Sequence, residues 1–293
     1  MALAEPIVIE SSGIPRRFKR VNVLPQFRHG IRRVDQIFLV LFVIVAIGSL
    51  IAPWFAPHNP ISASATPLVP PGHAAWFGTD EAGRDVFSRV LFGMRTSWIA
   101  AIVVITSGIV IGGTIGLIAG AAGGWIDGVL MRLTDAFLAL PAPVLAIAVV
   151  SALGPSFAHV LLAVGIVWWP YYARIVRADV RGLAARPHLE AARLAGTKRI
   201  RLWTRHLLPG AFPTILVAAS LDVGNLLLML AGLSFLGLGA PQPAPELGAM
   251  TALGLPYLLV QWWVPVFPAI AIFILAFLAN AGGDALRGLI ADW

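Results

Sequence analysis

The sequence predicts an all-α membrane protein with six transmembrane helices, and three observations carry that prediction. Hydrophobic residues make up 58% of the 293-residue chain and charged residues only 12%, against about 25% charged in a soluble domain. Several uncharged runs are longer than the ~18 residues that mark a bilayer-crossing helix. The basic residues gather in segments between those runs, which is how Lys and Arg orient a membrane protein. The net charge of +7 therefore reports orientation rather than a nucleic-acid partner. The chain has no cysteine, so disulfides, Cys-ligated zinc and thiol chemistry are excluded.

Residues 1–36 contain Arg16, Arg17, Lys19, Arg20, Arg28, Arg32 and Arg33. Prolines and the lack of an amphipathic period predict a tail with no fold of its own, on the cytoplasmic side. Span 1 covers Ile37 to Ala56; it starts too far in for a cleavable signal and should remain as a helix. Residues 57–97 read as an extracytoplasmic loop. Its Pro-, Ser- and Ala-rich part leads to a short surface helix, because Val86, Val90 and Leu91 fall on one helical face. Span 2 runs from Trp98 to Ala122 with Gly108, Gly112, Gly116 and Gly120 four residues apart. These form one ridge where another backbone can approach. The ridge is either a sliding surface or a static groove, and the spacing alone favours the groove.

No charge occurs from Ala136 to Ala173, and Gly154-Pro155 divides that stretch. Span 3 is then Leu133 to Leu153, distorted by Pro141 and Pro143, and span 4 is Phe157 to Val176. Residues 174–209 form a basic connector. Span 5 is Ala211 to Leu238 and contains Asp222 and Asn225; span 6 is Trp263 to Gly283. Residues 285–293 read as a cytoplasmic C-terminal tail. In this layout only Arg84, Arg89 and Arg95 of the 21 basic residues lie outside, beside Asp80, Glu81 and Asp85. Both termini are thus expected in the cytoplasm.

Neither lysine follows a glycine, so the chain has no phosphate-binding Gly-Lys loop and is not expected to hydrolyse ATP. No metal site is expected, and His159 and His206 read as interfacial residues. The connector is the strongest positive signal. Pro187 suits the first position of a helix, Glu190 its electropositive end, and Ala191, Ala192, Ala195 and Gly196 keep it slender. A second pattern places Ile200, Trp203 and Leu207 on one face and Arg201 and Arg205 on another, ending at Leu208-Pro209. Such a segment is either a rod that enters a groove on a soluble partner or a solvated loop that only sets orientation.

Glu190-Ala191-Ala192, Gly196 and Leu208-Pro209 resemble the EAA signature of the membrane subunits of bacterial ABC importers. His206, with Arg205 before it, resembles the peptide/nickel branch of that family. Phe77 to Arg89, Leu233-Ser-Phe-Leu-Gly-Leu-Gly239 and Gly283-Asp284 with Leu286-Arg287 are similar to further motifs of the same branch. The resemblance covers nearly everything from residue 37 onward. It implies a type I importer transmembrane-domain fold in which residues 98–284 are the permease core, set in a bacterial inner membrane. It also implies a homologous second permease, two cytoplasmic ATPases that use ATP and Mg²⁺ and receive residues 178–209 as the coupling segment through Glu190, Ala191, Ala192, Gly196, Leu208 and Pro209, an extracytoplasmic binding protein, and peptide as cargo. Nickel, glutathione or haem cargo on the same architecture stays open. The chain itself would carry no cofactor. Members often have an acidic residue where Leu230 stands here, so no substrate role is carried over to it.

An ionisable group inside a span costs about 2.5–3.5 kcal/mol on insertion scales and so faces protein or water. Asp222, with Asn225 nearby, either lines the cargo path or bonds a neighbouring helix. A secondary transporter would show paired intramembrane charges or inverted repeats, and neither is evident. A membrane-bound enzyme would need a nucleophile–base or metal constellation, and none is evident either.

Overall fold

A computed structural model describes residues 25–73 and 75–291. The order of the α-helices is α1 Pro25–Ile51, α2 Val86–Ala122, α3 Gly124–Leu138, α4 Ala142–Leu153, α5 Phe157–Ala184, α6 Pro187–Leu194, α7 Arg199–Leu202, α8 Leu208–Phe235, α9 Leu247–Gly254 and α10 Trp263–Ala291. The described residues contain no strand beyond a single bridge between Thr79 and Asp85. Five helical stretches are long and apolar enough to cross a membrane, and the pair α3 and α4 makes a sixth if it counts as one span.

Several boundaries differ from those the sequence predicts. Residues 25–36 are not part of a tail; they begin α1. Arg16, Arg17, Lys19 and Arg20 lie outside the described residues. The expected surface helix is the start of α2, whose 37 residues form one helix about 55 Å long at 1.5 Å per residue. Val86 and Val90 are buried there, packed into the core rather than laid on a membrane surface. Asp85 caps this helix, accepting from the Ser88 amide at 2.9 Å and the Ser88 hydroxyl at 2.6 Å. Residues 285–291 continue α10; they are not a tail.

The third span is not one distorted helix. α3 and α4 meet at 82°. Pro141 takes the extended conformation ahead of α4, and a proline cannot donate to the preceding turn. The break leaves α4 lying against α5 and scarcely touching α8.

The glycine ridge of α2 meets the backbone of α5. A Cβ at Gly112 would lie 2.9 Å from the Ala173 nitrogen, one at Gly116 3.0 Å from the Arg177 nitrogen, and one at Gly120 2.9 Å from the Arg177 carbonyl. Gly108 faces the ring of Tyr172. Gly124 and Gly128, which extend the spacing, have open space beside them. A second small-residue seam joins α8 to α10, with Gly224 against Asn280 and Gly283 against the backbone of Ser220.

At the end where α2 begins, residues 57–85 and 236–262 form a cap around buried charge. Arg89 is 1% exposed. It donates to the carbonyls of Pro60 at 2.7 Å and Pro243 at 3.1 Å and lies 3.4 Å from Asp80. Arg84 bonds Asp80 at 2.7 Å, Glu81 at 2.9 Å and Gln242 at 3.1 Å. Phe77 stacks on Phe267 at 4.0 Å. The Trp263 indole donates to the Thr79 carbonyl at 3.2 Å, fastening α10 to the same cap.

Candidate functional site

The segment between α5 and α8 sits on its own small core. Val176, Val180, Leu183, Leu202, Leu207, Ala211 and Ile215 cluster there, and Leu189 joins them at 1% exposure. Leu189 thereby roots α6, while Glu190, Ala191 and Ala195 face solvent and Ala192 is half-buried. Pro187 is the first residue of α6, and Glu190 lies in its first turn, where the helix dipole favours a carboxylate by about 0.3–1 kcal/mol. Leu194 closes the helix at 86% exposure. The spacing pattern did not single out this exposed leucine.

Gly196 acts differently from the expectation. α6 ends at Leu194, so Gly196 does not thin the rod. Its φ is +77°, and the Thr197 amide returns to the Ala192 carbonyl at 3.1 Å. This is the left-handed glycine cap that satisfies a late carbonyl of the helix. A side chain there would cost roughly 1–2 kcal/mol.

Leu208-Pro209 does not end a helix. α7, a π-helical turn at Trp203–Leu207 and α8 run on without a break from Arg199 to Phe235. The Leu208 amide reaches back to the Trp203 carbonyl. This wide turn accommodates the Pro209 ring, which an α-turn would press against the carbonyl four residues back. The extra residue also shifts the faces. Leu202 and Leu207 are buried, and Ile200, expected beside Leu207, is 73% exposed. His206 is exposed; half-buried His159 bonds the Gly154 carbonyl at 2.8 Å through Nδ1.

The first part of the predicted connector belongs to α5. Arg177 forms a two-pronged pair with Asp127 of α3, Arg181 reaches the same carboxylate at 3.1 Å, and Arg174 pairs with Asp135. Asp127 is 5% exposed. These arginines therefore tie α3 to α5.

Asp222 and Asn225 part company. Asp222 is 5% exposed and accepts from the Trp168 indole at 2.7 Å, so it joins α8 to α5. Asn225 is exposed.

A missed carboxylate explains the Leu-Ser-Phe-Leu-Gly-Leu-Gly stretch. Glu246, 7% exposed, accepts from the Ser234 hydroxyl and from the Ala240 amide at 2.8 Å. A Cβ at Gly239 would collide with this pair. Burial pushes the Glu246 carboxyl above its usual range, partly offset by the two hydrogen bonds. Sequence distance hid the partnership.

Residues 112–292 match the model of a family described as the binding-protein-dependent transport system inner membrane component. The chain belongs to this family. It is 42% identical over 252 residues to the probable D,D-dipeptide transport system permease protein DdpC of Escherichia coli K12, covering 86% of this chain and 85% of that one. It is 36% identical over 254 residues to the nickel transport system permease protein NikC of the same strain, covering 85% and 90%. A chain of the MetNI methionine ABC transporter in an inward-facing form superposes with a TM-score of 0.56 at 19% identity, over 69% of this chain and 96% of that one. That likeness shows the type I importer transmembrane fold. The family model takes in α3 to α10 and most of the glycine ridge; of the buried-charge cap, residues 57–85 lie before it and residues 236–262 inside it. The segment between α5 and α8 and the bent α3–α4 pair thus both lie inside the shared region.

Proposed function

We propose that the chain is one of two homologous permease subunits of an ATP-driven peptide importer. α6 is the coupling helix that two cytoplasmic ATPases engage, and an extracytoplasmic binding protein delivers the cargo. In this reading both termini are cytoplasmic, the cap of residues 57–85 and 236–262 faces outward, and the protein spans the bacterial inner membrane. The chain contributes no cofactor; ATP and Mg²⁺ act in the ATPases.

One observation carries the reading. A short rod, rooted by buried Leu189, presents Glu190, Ala191 and Leu194 to solvent between two spans. Movement of that rod reaches α5 and α8 directly through the same small core. ATP binding draws the ATPases together, α6 moves with them, and the spans reorient; hydrolysis reverses the cycle. The driving free energy lies in contacts that differ between the two states. The glycine ridge lets α2 and α5 stay in backbone contact throughout. Peptide is favoured as cargo by the resemblance to the dipeptide permease, with nickel, as in the NikC relative, as the second reading.

The test uses the complete importer in proteoliposomes. Glu190→Arg and Leu194→Asp are expected to lower ATP-dependent uptake by more than tenfold while the chain still inserts and pairs with its partner permease. Wild-type uptake by both variants would refute the coupling role.

A further inference from the structure

We infer that the groove between α4 and α8 holds an apolar side chain of a peptide in transit, and that Asp222 is a positioning residue for its wall. This inference rests on the peptide reading above. The groove measures about 400 Å³, within the roughly 300–1,000 Å³ of small-ligand pockets. Pro143 and Ile147 form one side, Leu228, Gly232 and Leu236 the other, and Trp168 also lines it. No charged residue lines it. It exists because the 82° break turns α4 onto α5 and leaves this face of α8 uncovered.

One feature distinguishes this face from one that meets lipid. Asn225 is exposed well inside α8, and a primary amide there needs protein or water as its partner. It lies on the stripe of Leu228 and Gly232, three and seven residues on, or about 5 to 10 Å along the helix. Trp168 shapes the groove wall itself. Its indole N–H is engaged by Asp222 at 2.7 Å, from a carboxylate that is 5% exposed. The polar edge of the indole is thus satisfied within the protein, its rotamer is held, and its apolar surface is left for the groove. An amide and an apolar pocket at this separation match a peptide's backbone and side chain. Asp222 therefore serves the path through Trp168 and does not touch cargo.

The experiment measures uptake of L-Ala-L-Phe and Gly-Gly by the complete importer in proteoliposomes. A Cβ at Gly232 would meet nothing within 4 Å, so Gly232→Phe fills the groove without displacing a helix. The Ala-Phe to Gly-Gly uptake ratio is expected to fall at least about tenfold, the usual scale of apolar-pocket discrimination. Leu228→Ala, which removes one wall, is expected to lower the same ratio by about threefold or more. Asp222→Leu is expected to raise KM for Ala-Phe with its maximal rate retained, and Asp222→Asn, which keeps an acceptor for the indole, to restore it. Equal loss of both peptides, or of neither, in Gly232→Phe and Leu228→Ala overturns the assignment; a lipid chain or a helix of the partner permease then fills the groove. Failure of the wild-type importer to take up either peptide removes the peptide reading itself.

Discussion

Arg89 at one end of the bundle is 1% exposed and bonded to the carbonyls of two separate loops, whereas at the other end α6 holds to the bundle through Leu189 and the half-buried Ala192. Both ends carry charged residues, yet the charges do opposite things. In the cap, Asp80, Arg84 and Arg89 are buried together and draw residues 57–85, 236–262 and the starts of α2 and α10 into one body. In the segment between α5 and α8 the basic residues beyond Arg181 largely face solvent, and an apolar anchor supplies the attachment. A buried ion cluster tolerates little displacement, because each separated charge loses its partner in a place with no water. An apolar anchor has no charge to strand, and burial of apolar surface is non-directional. On the proposed function, this contrast suits the cap to holding and α6 to moving.

Three changes break or sharpen this contrast. Arg89→Leu should have the largest effect, destabilising the cap by about 3 kcal/mol through two orphaned carbonyls and a weakened Asp80 environment. Thermal unfolding in detergent and proteolysis within residues 57–85 would report it. An unchanged melting curve would mean that the cap is not locked by charge. Leu189→Ala should cost about 2–4 kcal/mol locally and free α6 from its core. ATPase turnover should then persist in the assembled importer while uptake falls, and retained coupling would show that α6 is held by something else. The smallest effect concerns Glu246. Its carboxyl titrates above the usual value of 4.5, so the folded loop binds its proton more tightly than the unfolded chain. Its contribution to stability is greatest in acid and declines as pH rises from about 4.5 through the raised folded value. Amide protection at Ala240, corrected for intrinsic exchange, should decline over that window. Glu246→Gln should flatten the decline, and a profile identical to wild type would exclude Glu246 as its source.

Much of the fold was legible in the residues, and the limits follow a pattern. Uncharged runs predicted the spans because lipid rejects charge wherever it sits in the fold. The four-residue glycine spacing predicted a seam because one helical ridge is a local property; that α5 fills the seam is not. Pro141 announced a distortion, but a proline removes a hydrogen bond without setting an angle, and packing chose 82°. Ile200 and Leu207 were expected together because a 3.6-residue period was assumed, and a single π-helical turn moved them apart. Glu246 and Ser234 escaped notice because their bond spans a loop. Asp222 was singled out as an ionisable group within a predicted span; that its partner is Trp168 of α5 depends on packing.

The linear chain by itself determined that this is a helical membrane protein, roughly where it crosses, and that a slender basic segment lies between two crossings, because hydropathy, helix periodicity and end-capping act over a few neighbouring residues. Only the tertiary structure decided which carboxylates are buried, that Gly196 caps a helix, that Leu194 stands exposed and that an apolar groove opens behind Trp168. Those outcomes depend on which distant surfaces meet, and desolvation and close packing exist only once they do.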